Sequence, residues 1–348
     1  MNPTVLFFVA AGSGGHINPA VTLAQNELQK DRHLAIHFFT GAKEMEVMLA
    51  SKLSDATIHS CTLGQFNMRR WWQLPKLVTQ ICKLTYYGYA QAKKHKPHKV
   101  ISTGSLLALP ICFGAWLAGA QVFLYELNVE VGKAVQALSP LAKKIACCFD
   151  QTIKHPGWFC SFFKHKFEKT DYPLRFIPLQ ESQADSITKI AHNTGVPLSP
   201  DKKTVVVLGG SQGSLFLNQA VQEWASKKKL CNVQFIHQAG RGNTHELKQF
   251  YAAHKLVAYV FDYDHAVDLI YNAADIIVCR AGAGTLFEIV AHNKQAAVIP
   301  LLSTTTSHQY ANAQAMATQY PSLIHIIHGS DAAAKKRALA QKLDTLSI

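Results

Sequence analysis

Acidic residues are scarce in this 348-residue chain: 22 Asp and Glu stand against 35 Lys and Arg, a formal net charge of +13. The imbalance argues against a cationic partner and for an anionic one, whether nucleic acid, acidic lipid or a phosphorylated metabolite. Disorder is equally disfavoured, because 48% of the residues are hydrophobic and only 16% charged, and the length suffices for two domains with their own cores. The eight cysteines include no CxxC pair. Cys112, Cys147, Cys148 and Cys279 lie in apolar surroundings, where a thiol serves as a small hydrophobe, so a reducing cytoplasmic compartment fits better than a disulfide framework. The opening MNPTVLFFVAAGSGG lacks a basic leader, so residues 5–10 read as a buried strand and not as an export signal. One uncharged run, 106–125, is long enough to cross a bilayer, but Pro110, Gly114 and Gly119 interrupt it. It reads as a buried helix ending near Gly119 followed by a strand at 121–125.

Missing motifs exclude further classes. There is no GxxxxGK[ST], which argues against a P-loop nucleotidase. Gly12, Gly14 and Gly15 do not complete GxGxxG, and the second strand ends at Thr40 and Gly41 without an acid to hold a ribose, so no nicotinamide or flavin cofactor is expected. Neither HxH nor HExxH is present. His95/His98 and His325/His328 read as surface residues, and no metal site is expected.

What is present is an alternation of short β-rich runs, at 5–10, 36–40, 99–102, 122–125, 204–208, 233–237, 276–279 and 296–299, with helical patterns. Strands separated by helices imply parallel sheets with right-handed crossovers. One unit occurs twice, VLFFVAAGSGGHINPA from Val5 and VVVLGGSQGSLFLNQA from Val205. Each is an apolar strand, a Gly-rich turn and a helix. Each half therefore begins its own Rossmann-like domain, with the boundary near residue 170: 1–170 and 171–348, the last helix having the option of packing back on the first domain.

A strand ending in glycines before a helix offers backbone N–H groups at the positive end of the helix dipole, where a phosphate can bind. His16 follows the first such turn; it reads either as a general base, imidazole titrating near neutral pH, or as a capping or exposed histidine. The second turn, 209–213, also fits GxSxG, a nucleophile elbow with Ser211, for which Asp262, Asp264 or Asp275 and His292 or His308 would complete a hydrolase triad. That reading leaves the N-terminal half unexplained. In CRAGAGTLFEI, 279–289, Glu288 lies in the first turns of a helix, where its carboxylate can take both hydroxyls of a ribose or simply complement the helix dipole.

With these turns placed, the chain resembles the MurG family, the GT-B N-acetylglucosaminyltransferases that convert lipid I into lipid II in peptidoglycan synthesis. The resemblance spans nearly the whole chain and rests on GSGGHINP at 12–19, ELN at 126–128, YPLR at 172–175, GGSQG at 209–213, RAGAGTLFE at 280–288 and HQYANA at 308–313. It implies an α/β fold of two doubly wound parallel-sheet domains facing across a cleft, the N-terminal one for acceptor and membrane, the C-terminal one for UDP-N-acetylglucosamine. Ser13, Gly14 and Gly15 would approach the donor phosphates or acceptor, with His16 the catalytic base. Asn128 and Gln309 would contact the donor sugar, Arg175 and Ser211 the diphosphate. Ala283, Gly284, Thr285, Leu286, Phe287 and Glu288 would hold the nucleoside, with Tyr263 and Asp264 bordering the uracil. Gly104, Ser105 and Glu126 would lie on the acceptor side. The family's second Gly-rich loop, GxGGYxSxP, stands here as STGSLLALP at 102–110, with two glycines, the tyrosine and the serine replaced. Side chains on those positions would narrow the space. Asp171 and Tyr172 likewise replace the Gly-Asn expected before the Pro of YPLR.

The same resemblance implies an inverting transfer, with His16 taking the acceptor proton and the helix after Ser214, Arg175 and Ser211 stabilising the departing UDP in place of a metal. No cofactor is implied. Residues 68–99 mix Trp71, Trp72, Leu77, Ile81, Leu84 and tyrosines with Arg69, Arg70, Lys76, Lys83, Lys93 and Lys94, which reads as docking on the anionic inner leaflet of the cell membrane at its cytoplasmic face, or as a helix packed on the core. Trp116 would extend that patch. The segment could also bind RNA, but it lacks an RNP, KH or helix-turn-helix signature, and no nucleic-acid partner is expected.

Overall fold

The computed structural model describes residues 4–64, 74–176, 178, 180–210, 213–228, 230–264, 266–301 and 308–345. The chain divides into two compact units, Met1–Arg175 and Phe176–Ile348.

The first unit runs β1 (Val5–Val9), α1 (Gly14–Lys30), β2 (Ala35–Gly41), α2 (Glu44–Ala50), β3 (Ala56–Cys61), α3 (Leu74–His95), β4 (Lys99–Ser102), α4 (Ala108–Leu117), β5 (Gln121–Glu126), α5 (Lys133–Leu138), β6 (Ala142–Cys147), α6 (Asp150–Lys154), α7 (Trp158–Ser161) and β7 (Phe167–Lys169). Its sheet is parallel in the order β3-β2-β1-β4-β5-β6-β7. Strand residues alternate between faces. Leu6, Phe8, Ile36 and Phe38 pack under α1 and α2, whereas Phe7, Val9, Phe39 and Val100 pack under α3, α4, α5 and α7. Both faces being covered, the strands read as near-continuous apolar runs. The uncharged run at 106–125 is a helix and a strand, α4 and β5, as its glycines foretold. Gly88 and Gly114 let α3 and α4 cross closely: a Cβ at Gly114 would lie 2.1 Å from the Thr85 carbonyl oxygen, and one at Gly88 2.8 Å from that of Ile111.

The second unit runs α8 (Gln183–Thr194), β8 (Lys203–Leu208), α9 (Leu215–Ser226), β9 (Val233–Gln238), α10 (Thr244–Ala253), β10 (Val257–Phe261), α11 (Val267–Ala273), β11 (Ile276–Cys279), α12 (Ala283–Ala291), β12 (Gln295–Val298), α13 (His308–Gln319), β13 (Ile324–Ile326) and α14 (Ala332–Thr345). Its sheet is parallel in the order β10-β9-β8-β11-β12-β13. α14 buries Leu339 and Leu343 in this unit's own core, and its Asp344 accepts from the Trp224 indole at 3.1 Å.

Candidate active site

In an open parallel sheet, ligands bind beyond the strand C-termini where successive connections diverge to opposite faces. In the first unit that point lies between β1 and β4. Two loops flank it. After β1 the chain turns at Gly12, φ +96°, a backbone conformation that favours glycine, and the Gly12 amide donates to the buried Glu46 carboxylate. Ser13, extended at φ −142°, caps α1, whose first turn holds Gly14, Gly15 and His16 and no acid. His16 ties this turn to the loop after β4. Its Nδ1 lies 2.8 Å from the Thr103 carbonyl oxygen, and the Thr103 hydroxyl donates to the His16 carbonyl at 2.8 Å. A carbonyl can only accept, so Nδ1 carries the proton in the neutral ring and the lone pair sits on Nε2, the arrangement a general base requires.

The departures from the family's second loop acquire a structure here. Ser102 Oγ donates to the Val9 carbonyl at 2.8 Å and accepts from the Gly104 amide at 3.1 Å, so this replacement braces the loop. Ser105, in place of the second adjacent glycine, keeps the glycine-like backbone at φ +99°, and its hydroxyl is buried without a partner. A Cβ on Gly104 would lie 3.4 Å from His16 Cε1, which sets Gly104 beside the imidazole.

At the end of β5, Glu126 is buried and closes the following loop from within. Its Oε1 accepts from the Asn128 amide at 2.9 Å and its Oε2 from the Gly132 amide at 2.7 Å. Burial lifts its carboxyl to about 7, against the downward pull of the Gly132 and Asn128 donors. Glu126 thus positions Asn128.

The second unit repeats the plan between β8 and β11. After β8, Gly209 and Gly213 leave no room for side chains, a Cβ at Gly209 lying 2.7 Å from the Ser214 amide nitrogen and one at Gly213 2.6 Å from Gly240 Cα, while Gly210 holds φ +81°. Ser214 caps α9, and Arg280, at the end of β11, donates through Nε to the Ser214 hydroxyl at 3.1 Å and through Nη1 to the Ile299 carbonyl at 3.2 Å. One guanidinium therefore joins the two loops of this switch point. Next along the chain, Gly282 caps α12, whose first turn contains Ala283, Gly284, Thr285 and Leu286. Glu288, 2% exposed, accepts from the Tyr271 hydroxyl at 2.8 Å, so the carboxylate that sequence reading pointed at a ribose is oriented by a tyrosine 17 residues upstream.

Among the other expected residues, Gln309 at the start of α13 accepts from the Leu301 amide at 3.0 Å. Arg175 closes the first unit. Asp264 turns its carboxylate into its own loop, to the Tyr259 hydroxyl at 2.7 Å and the Ala266 amide at 2.8 Å, and the exposed ring nearby belongs to Tyr263. Ser211, Arg69, Arg70, Trp71 and Trp72 lie outside the described residues. The hydrolase triad finds no support, since Asp262 bonds Thr244, Asp275 bonds Lys203 and the Thr204 amide, and the His292 Nδ1 faces the Glu288 carbonyl. His95 is partly exposed, and its ring lies 4.1 Å from that of His37, whose Nδ1 is 2.9 Å from His59 Nε2; burial with the neighbouring His95 and His59 drops His37 to about 4. Among the described residues, no group of three His, Cys, Asp or Glu is placed to hold a metal ion. Sequence reading missed Thr103 and Tyr271, and it named Ser214 only as the start of a helix and Arg280 only as the first residue of the 280–288 motif. Ser214 and Arg280, each beside a Gly-rich turn, carried a local signal; Thr103 and Tyr271 carried none.

Residues 6–147 match the glycosyltransferase family 28 N-terminal domain and residues 204–346 its C-terminal domain. A protein of Phocaeicola vulgatus named UDP-N-acetylglucosamine–N-acetylmuramyl-(pentapeptide) pyrophosphoryl-undecaprenol N-acetylglucosamine transferase is 28% identical over 96% of this chain and 86% of its own length. A protein of the same name from Caldanaerobacter subterraneus is 29% identical over 97% and 90%. The crystal structure of Acinetobacter baumannii MurG superposes with a TM-score of 0.70 at 21% identity, over 99% of this chain and 91% of that one, which shows the shared GT-B fold.

Proposed function

The chain belongs to glycosyltransferase family 28, and from that premise we propose that it transfers N-acetylglucosamine from UDP-N-acetylglucosamine to the C4 hydroxyl of the muramyl sugar of lipid I, yielding lipid II for peptidoglycan. The observation that carries the reading is the His16–Thr103 pairing, which fixes a basic Nε2 at the switch point of the first sheet.

In an inverting displacement the acceptor oxygen attacks the anomeric carbon, its proton passes to a base, and the bond to UDP breaks with charge building on the β-phosphate. His16 Nε2 takes that proton. The α9 N-terminus, with its turn braced by Arg280 and Ser214, offers amide dipoles to the diphosphate, which Arg175 and Ser211 also contact. Turn amides of α12 hold the nucleoside, Glu288 its ribose, and Tyr263 borders the uracil. Asn128 and Gln309 contact the sugar. Gly104 and Ser105 receive the lipid-linked diphosphate. No described helix is long and apolar enough to cross a membrane. A lipid-linked acceptor therefore requires peripheral association with the anionic leaflet facing the cytoplasm, and α3 suits it. This helix contains no acid, bears Lys76, Lys83, Lys93 and Lys94, and buries only Gly88 and Ala92.

Incubating the protein with labelled UDP-N-acetylglucosamine and either lipid I or diacylglycerol tests the assignment. Label should pass to lipid I alone; label on diacylglycerol, or conversion of the donor to its epimer without transfer, would overturn it.

A further inference from the structure

We propose that the turn carrying α7 is a lipid-docking element that seats its aromatic side chains in the headgroup region of an anionic bilayer. Residues 154–166, KHPGWFCSFFKHK, contain three lysines, two histidines and four aromatics with no Asp or Glu. The turn is fastened from beneath. Cys160 is buried in the core layer shared with α3 and α4, its thiol 3.5 Å from the Ser139 hydroxyl, and the Lys166 ammonium donates to the Ser139 and Pro140 carbonyls at 3.1 and 2.8 Å. Fixed in this way, the turn holds Trp158 80% and Phe162 65% exposed, their rings edge-to-face at 5.7 Å.

An indole and a phenyl ring held out into water on a braced turn mark a surface that a partner covers. The chemistry selects the cover. An indole with a polar N–H favours the boundary between headgroups and acyl chains, and the exposed Lys154 and Lys164 beside it attract anionic headgroups. The nearest acids do not cancel that field, because Asp150 is paired with Lys169 at 3.0 Å and Glu168 with Lys144 at 2.9 Å. Placement agrees. Cys160 enters the same face of the sheet as Ala92 of α3 and Ile111 of α4, so α7 belongs to the helical layer whose outer side also exposes Tyr86 and the stacked pair Phe113 and Trp116.

The inference rests on the membrane association proposed above and adds a contact 63 residues beyond the end of α3, counted from His95 to Trp158. Flotation with vesicles of phosphatidylglycerol and phosphatidylethanolamine, against phosphatidylcholine alone, tests both. The unaltered protein should float with the anionic vesicles only. W158A/F162A should lower that partition roughly tenfold, K154E/K164E should lower it and weaken its salt dependence, and W158F should float while losing part of the indole quenching by brominated lipid. UDP binding, read by calorimetry, should stay unchanged in all three. Failure of the unaltered protein to float would overturn membrane association and this inference together. Flotation of W158A/F162A equal to the unaltered protein, or a loss of self-association in that variant with vesicle binding intact, would overturn this inference alone.

Discussion

At the scale of the residue, the site depends on groups whose roles are fixed by what they touch. His16→Ala should reduce turnover by about 10²–10⁴ while UDP affinity is retained, since the imidazole acts on the acceptor proton and not on the nucleotide; steady-state kinetics with calorimetry checks it. Ser105 pays for a glycine's backbone with a strained φ and an orphaned hydroxyl. Ser105→Gly should therefore raise stability by about 1–3 kcal/mol, seen as a higher Tm. Glu126 contributes a pH dependence with a definite sign. Its carboxyl, lifted from 4.5 to about 7 in the folded protein, is harder to ionise there than in the unfolded chain. The associated stability is complete below the ordinary carboxylate range and is lost as the pH rises to about 7, on the order of 3 kcal/mol. Thermal melts from acid to mildly alkaline pH should show the protein losing stability relative to Glu126→Gln, which has no proton to release. His16 and Glu288 were visible in the sequence because each follows a Gly-rich turn. Thr103 was not, since it acts through its main-chain carbonyl on a residue 87 positions away, and Tyr271 reaches Glu288, as Ser214 reaches Arg280, only in the folded unit.

At the scale of the element, glycines decide where helices approach. Gly114→Ala would gain helix propensity of about 1 kcal/mol, yet its methyl would sit 2.1 Å from the Thr85 carbonyl oxygen, a backbone atom that cannot swing aside. Overpacking wins, and the variant should lose about 1–3 kcal/mol in denaturant unfolding. The interior strands β1, β2, β4, β5, β8, β9, β11 and β12 were legible because burial on both faces makes most of their residues apolar. β3, β7, β10 and β13 were not read, nor was β6: the first four lie at sheet edges and β6 beside one. There the pattern dilutes, as in β6 with its exposed Lys143 and Lys144, or shortens, as in the three residues of β7 and β13.

At the scale of the whole molecule, two units each carry a parallel sheet with one switch point, and each switch point is closed by one side chain spanning its two loops, His16 in the first and Arg280 in the second. Saturating UDP at about 100 times its Kd should stabilise the protein by roughly 2.7 kcal/mol, and Glu288→Ala should abolish most of that shift in a thermal melt while leaving the unliganded Tm lower through loss of the Tyr271 bond. The sequence by itself determined the fold class, the doubling of the strand–turn–helix unit and the places where phosphate-binding turns occur, because apolar runs and glycines act through local backbone geometry. Only the tertiary structure decided which loops meet, which nitrogen of His16 holds the proton, that Glu126 rather than solvent carries Asn128, and that Trp158 is held outward. Those depend on contacts between residues far apart in the chain, made by main-chain oxygens and buried surfaces that leave no local pattern.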